Sequence, residues 1–181
     1  IEFEEKIRSL CSDILDNTLP MIDFDATKHI ARELPMRMLG RILGLPEEDL
    51  PWLVEKGDAL IANTDPDFTD HVLDKLDTNE FRLMPHNSPA GAELYEYAET
   101  LMEKRLKTDN TNSILHMVMQ PAVDGSKLSE TEFKNFFCQL VAAGNDTTRY
   151  SIAAGIHALC HQPELLKQMK NEPTVWETAP E

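Results

Sequence analysis

Apolar residues recur at helical spacing along almost the whole chain, and no long Val/Ile/Thr alternation marks a strand. Ile7, Leu10, Ile14 and Leu15 form one face of an amphipathic helix over residues 1–18. A second helix is predicted from about Asp25 to Leu43, with Ile30, Leu34, Met38, Leu39 and Ile42 as its main apolar positions. Pro35 inside it predicts a kink or break. Gly44-Leu45-Pro46 ends that helix, and Pro46-Glu47-Glu48-Asp49 opens the next with acids suited to a helix N-terminus. Leu50, Trp52, Leu53, Val54, Leu60 and Ile61 follow on it.

Residues 63–88 break the pattern. Thr64-Asp65-Pro66-Asp67, Asp74, Asp77 and Pro85 make a long acidic connector, of the length that in compact domains often serves as a lid or binding loop. Helical spacing resumes from about Ser88 to Lys107, with Leu94, Tyr97, Leu101 and Met102 inward, and again over Ser113–Met119. Pro121 and Asp124-Gly125 mark a turn. Ser129 and Glu132 then form a capping box, after which a helical pattern persists to His161, where Pro163 starts another helix ending before Pro173. A helix of that length spans roughly 48 Å at about 1.5 Å per residue, long enough to be the spine of the fold. The expectation is an all-α chain.

On a wheel of about 100° per residue, Phe133, Phe136, Leu140, Ala143, Gly144, Thr147 and Ser151 lie within roughly 60° of Leu140, with Lys134, Asn145 and Arg149 opposite. The predicted buried stripe therefore starts bulky and becomes small and polar. Gly144 costs about 1 kcal/mol against Ala in a helix interior. A mid-helix threonine can bond back to the preceding turn and loosen it. Together with the carboxylate of Asp146, these residues suggest a helix opened over a flat or bulky ligand. Small residues also let a neighbouring helix approach closely, with Asp146 in an ion pair to Arg149, and the pattern alone leaves that reading open.

Composition narrows the function classes. The formal net charge is −15, from 32 acidic and 17 basic residues, which disfavours nucleic-acid backbones and anionic membrane surfaces. No run of about 18 apolar residues is present, so no membrane span is expected. Cys11, Cys138 and Cys160 are odd in number and form no Cys-x-x-Cys pair, which suits buried thiols in a reducing compartment. The chain begins at Ile1 inside an amphipathic segment and ends at Glu181 without a tail, so a portion of a larger domain is expected.

Ala143-Gly144-Asn145-Asp146-Thr147-Thr148 resembles the oxygen-binding motif of the cytochrome P450 superfamily, (Ala/Gly)-Gly-x-(Asp/Glu)-Thr-(Thr/Ser), at all six positions. Leu43-Gly44-Leu45-Pro46-Glu47-Glu48-Asp49 resembles the Leu-Gly-x-Pro-x-x-Asp junction of soluble bacterial members, and His161-Gln162-Pro163-Glu164 resembles the start of the helix after the long one. The resemblance implies one partial domain over residues 1–181. It would be the central part of the family fold, from about the fourth helix to just before the Glu-x-x-Arg helix. The family's Phe-x-x-Gly-x-x-x-Cys-x-Gly loop has no counterpart in this sequence, and Cys138, between Phe137 and Gln139, reads as packing.

The resemblance further implies a haem-thiolate monooxygenase that hydroxylates a small lipophilic substrate, with haem b and dioxygen as cofactors. The iron-ligating cysteine would not belong to this chain, which would be inactive alone. Electrons would come ultimately from NAD(P)H through a ferredoxin and ferredoxin-reductase type partner, in the cytoplasm. Asp146 and Thr147 would be catalytic, Asp146 relaying protons and the Thr147 hydroxyl holding dioxygen and its protons. Ala143, Gly144, Thr147 and Thr148 would line the haem face. Gln139, Ala142, Ala143 and Ile61 would meet substrate, with the 63–88 connector as part of a lid.

Three other readings compete. Asn145-Asp146 could open a terpene-cyclase magnesium motif, but Arg149 and Ala153 stand where its remaining ligands belong. His157 and His161 are one turn apart, yet Ala158 replaces the glutamate of the zinc-protease pattern, so a helix-end surface pair is expected and no metal site. A non-catalytic helical interaction domain is the remaining alternative.

Overall fold

The computed structural model describes residues 2–62, 64–67, 78–105, 114–121 and 125–178, and every regular element among them is helical. Helix α1, Glu2–Thr18, lies where the amphipathic pattern places it, with Leu10 and Ile14 buried and Ile7 and Leu15 largely exposed. The single helix expected over 25–43 is two pieces. Asp25 Oδ1 accepts the backbone N–H groups of Thr27 and Lys28, and a π turn, Thr27–Ala31, closes with Arg32 N–H donating to Thr27 O at 2.9 Å. Helix α2 then runs Glu33–Leu43. The break falls just ahead of Pro35 because a proline in the first turn removes an N–H that has no helical partner anyway.

Gly44 ends α2 in the left-handed region (φ 71°, ψ 38°), and Leu45 N–H closes the turn onto Gly40 O at 2.8 Å. Pro46 and the short turn Glu47–Asp49 lead into helix α3, Leu50–Ile61. The junction is held from outside as well: Tyr97 Oη donates to Asp49 Oδ2 at 2.6 Å, and the Tyr97 ring lies between Trp52 and Phe137.

Within the predicted connector, 64–67 and 78–88 are described, with short 3-10 turns at Thr78–Leu83 and Pro85–Asn87; Asp74 and Asp77 lie outside the described residues. Helix α4 is Pro89–Arg105, α5 is Ile114–Met119, α6 is Glu130–His161 and α7 is Pro163–Asn171. Of the predicted Asp124-Gly125 turn only Gly125 is described, at φ 80°. A short helix α8, Val175–Thr178, was not expected; Trp176 Nε1 pins it by donating to Met169 O at 2.7 Å.

Helix α6 is the spine, capped by Ser129 and Glu132 as predicted. It packs on α2, α3 and α4, and the main core gathers Met36, Leu53, Val54, Leu94, Leu101, Leu115, Phe133, Phe137 and Val141 between them. A smaller cluster of Leu10, Ile14 and Met38 joins α1 to α2.

The inward face of α6 is not the one centred on Leu140. Phe133, Phe137, Cys138, Val141 and Asn145 are buried, while Ala143, Thr147 and Ser151 are exposed and Phe136, Leu140 and Gly144 half-buried. The true face is turned by about 100° from the expected one. Phe133 is common to both, and the stretch from Ala142 to Thr148 carries too little apolar area to fix the angle. Helix α6 is also unbroken: Thr147 Oγ1 bonds back to Ala143 O at 3.1 Å and Ser151 Oγ to Thr147 O at 2.9 Å, and the helix remains regular from Glu130 to His161. The expected opening of the ladder is therefore absent.

Phe137→Ala should cost about 3–5 kcal/mol of stability in a denaturant titration, and Phe136→Ala distinctly less. Equal losses would contradict this assignment of the buried face.

Candidate functional site

The residues singled out by sequence sort onto two sides of α6. Gln139, Ala143 and Thr147 are exposed and lie along one open strip of the helix, while Thr148, also exposed, stands about 180° round the axis from Gln139. Ala142 is half-buried against the main core, and Ile61 is 39% exposed at the C-terminal end of α3. Gly144 lies beneath α2: a Cβ there would stand 3.1 Å from Leu39 Cδ2. The close helix approach left open above is thus present at Gly144. Next to it an apolar cavity of about 290 Å³ is lined by Ile7, Leu34, Met38, Leu39, Ile42, Gly144 and Thr148.

The other side of α6 carries a charged network. Arg149 Nη1 bonds Asp58 Oδ1 at 2.6 Å, and its Nη2 bonds Asp146 Oδ1. Asp58 Oδ2 takes Arg32 Nε at 2.5 Å, and Asn145 Nδ2 donates to Asp58 Oδ1 at 3.1 Å. Arg32 also stands 3.6 Å from Glu33, which pairs with Arg37. So the expected Asp146–Arg149 pair exists, but as one edge of a larger assembly. Asn145 and Arg149, expected to face away from the core, are at its centre.

Asp58 was missed by sequence reasoning, yet its position carried a signal. Leu50, Leu53, Val54, Gly57, Asp58 and Ile61 follow the apolar spacing of α3, and an acid in that stripe must find cations or stay uncharged. Gly57 provides the room, since a Cβ there would lie 3.2 Å from Asn145 Nδ2. The Asp58 side chain is only 7% exposed, and removing one partner of a pair so buried typically costs about 3–5 kcal/mol. A cavity of about 600 Å³, lined by Asp25, Thr27, Lys28, Arg32, Glu55, Asp58, Ala59, Arg149 and Tyr150, leads from the surface to this network. Asn145 Oδ1, also buried, has no hydrogen-bond partner among the described residues.

The thiols divide by environment rather than being uniformly buried. Burial pushes the Cys138 thiol up to about 12, while Cys11 is half-buried and raised by the same cause, and Cys160 is exposed. Cys138 faces the core, away from the open strip, so it cannot offer a thiolate there. His157 and His161 stack at 4.1 Å on the exposed C-terminal end of α6, and His161 Nδ1 lies 2.9 Å from His157 O.

The open strip fits one wall of a flat macrocycle. Ala143 and Thr147 on it are small, and beside them Gly144 and Thr148 carry the surface on into the apolar cavity at Leu39. It does not supply an iron ligand.

No family model matches the chain. It is 32% identical over 151 residues to a steroid C26-monooxygenase of Mycobacterium bovis, covering 82% of this chain and 31% of the relative. It is 32% identical over 179 residues to cytochrome P450 126 of Mycobacterium tuberculosis, covering 93% and 39%. The structure of a Mycobacterium marinum cytochrome P450 in complex with pseudoionone superposes with a TM-score of 0.78 at 26% identity, covering 94% of this chain and 39% of that one. The chain thus spans between 31% and 39% of the length of these curated relatives.

With a maleimide at neutral pH, Cys160 should be modified rapidly and Cys138 only after unfolding; rapid labelling of Cys138 in the native protein would contradict its burial.

Proposed function

The chain belongs to the cytochrome P450 superfamily, and we propose that it supplies the oxygen side of a haem monooxygenase acting on a small lipophilic substrate. The supporting observation is the run from Ala143 to Thr148, a complete family motif in the middle of a 32-residue helix, with Ala143, Thr147 and Thr148 exposed. The partial domain over residues 1–181 would contribute the wall of the haem site, and the thiolate would come from sequence outside this chain. When bound, haem with a thiolate ligand supplies the activation of dioxygen.

Every step assigned to this chain concerns space and protons. Ala143, Gly144, Thr147 and Thr148 would line the haem face. The Thr147 hydroxyl, whose hydrogen is directed to Ala143 O, keeps lone pairs free to accept a hydrogen bond on the open side. By turning, it could donate one instead. Asp146, with a side chain 20% exposed, would exchange protons between solvent and Thr147.

Gln139, Ala142, Ala143 and Ile61 would meet substrate, with the 63–88 connector as part of its lid. A lipophilic substrate is supported by a relative named for a steroid and by a neighbour solved with pseudoionone. Among the described residues no helix is long and apolar enough to cross a membrane. A cytoplasmic protein reduced by NAD(P)H through a ferredoxin-type partner accords with this.

A carbon monoxide difference spectrum of the reduced full-length protein should show a thiolate-ligated haem, and its absence would overturn the reading. In that protein Thr147→Ala should divert reducing equivalents to peroxide, and Asp146→Asn should slow turnover sharply with substrate binding near normal. Unchanged coupling in the first variant, or an unchanged rate in the second, would remove the corresponding role.

A further inference from the structure

We infer that Gln139 is a specificity-determining residue whose amide hydrogen-bonds an uncharged oxygen of the substrate, so that ketones, alcohols or esters on a lipophilic skeleton are taken in preference to the bare hydrocarbon. The inference rests on the reading of the open strip as a wall of the substrate space, and it names the chemistry that this wall selects. Gln139 is exposed on the strip, one turn ahead of Ala143 and two turns ahead of Thr147. Its surroundings on the helix are apolar: Phe136 and Leu140 are half-buried, and Ala142 and Ala143 carry only a methyl group. Within one turn on either side, the other hydrogen-bonding side chains are Asn135, whose Oδ1 accepts from Tyr95 Oη, and the buried Cys138 thiol. The Gln139 amide has no hydrogen-bond partner among the described residues.

An amide facing water needs no partner from the protein, but one covered by a lipophilic molecule needs a partner from that molecule. When substrate displaces water from the strip, the Gln139 amide loses its hydrogen bonds, and leaving them unmade weakens binding about ten- to hundredfold. A ligand oxygen set against the amide removes that penalty. The carboxamide has two N–H donors and a carbonyl acceptor, so a ketone or ester carbonyl accepts from it, and a hydroxyl can accept or donate. A carboxylate fits less well, because nothing on the strip neutralises it. Lys134 and Arg149, the lysine and arginine of α6, lie on other faces of the helix; Glu99 and Glu130 engage the first, and Asp58 and Asp146 the second. Gln139 and Thr147 are about 12 Å apart along the helix axis. The recognised oxygen is therefore held remote from the carbon that reacts near Thr147.

Cholestanone and cholestane share one skeleton and differ by a single carbonyl, which makes them a matched pair of probes. Their dissociation constants for the full-length, haem-bound protein can be measured by equilibrium dialysis from cyclodextrin. The parent should bind cholestanone at least about tenfold more tightly than cholestane. Gln139→Leu, similar in size and at an exposed position, should bring the ratio near unity, mainly by tightening cholestane. Gln139→Asn, which keeps the amide on a shorter stem, should retain part of the preference. In the parent methyl palmitate should bind more tightly than palmitic acid, and Gln139→Lys should reverse that order. A ratio near unity in the parent, a ratio unmoved by Gln139→Leu, a parent that prefers the acid to the ester, or binding of neither steroid would overturn the proposal. The expected ratios in a protein whose reduced carbon monoxide spectrum shows no thiolate-ligated haem would instead remove the monooxygenase reading and leave Gln139 as the residue that selects a bound lipid.

Discussion

A carboxylate placed in the apolar stripe of a helix constrains everything around it. Asp58 points from α3 into the space between α3, the turn ahead of α2, and α6, where it is only 6% exposed. The charge is tolerated because each neighbouring element sends a donor: Arg32 from beside the π turn, Asn145 and Arg149 from α6. Three separate stretches of chain are thereby tied at one point. The angle of α6 about its own axis follows from this, since Asn145 and Arg149 must face inward. Apolar packing of Phe133, Phe137 and Val141 on the same side agrees with it and supplies most of the buried area.

Fixing that angle leaves the opposite side of α6 uncovered by its packing partners in the core. Ala143 and Thr147 of the motif lie open there, while Gly144 is tucked under Leu39, Thr148 borders the apolar cavity and Asn145 is buried in the charged network. The helix thus separates two kinds of work. One face carries bulk and a charge network, and the other stays flat enough to wall a planar group. Asp146 stands at the seam, close enough to Arg149 to be held and exposed enough to meet solvent. The same buried network that orients the spine also reaches the residue whose protons the proposed reaction would use.

Much of this was legible beforehand. Helix boundaries were set by local chemistry acting within a few residues: the Ser129–Glu132 capping box, Gly44 at a left-handed position, Pro46 and Pro163 as helix openers. The motif from Ala143 to Thr148 and the Leu43–Asp49 junction identified the family without a structure, because they are contiguous runs of residues. The junction's Asp49 gained its physical reason only in three dimensions, as acceptor for Tyr97 from α4.

What the sequence alone could not decide was orientation. A run with Phe at 133, 136 and 137 and only small or polar residues from Ala142 to Arg149 offers two nearly equivalent inward faces, and periodicity chose the wrong one. The choice lay with partners distant in the chain, above all Asp58, separated from Asn145 and Arg149 by 87 and 91 residues. Likewise the sequence showed that Asp146 and Arg149 could pair, but not that Arg149 is shared with a buried acid. Local hydrogen bonding and apolar spacing are written within a few residues. The partner of a buried charge is chosen by whichever segments the fold brings against it.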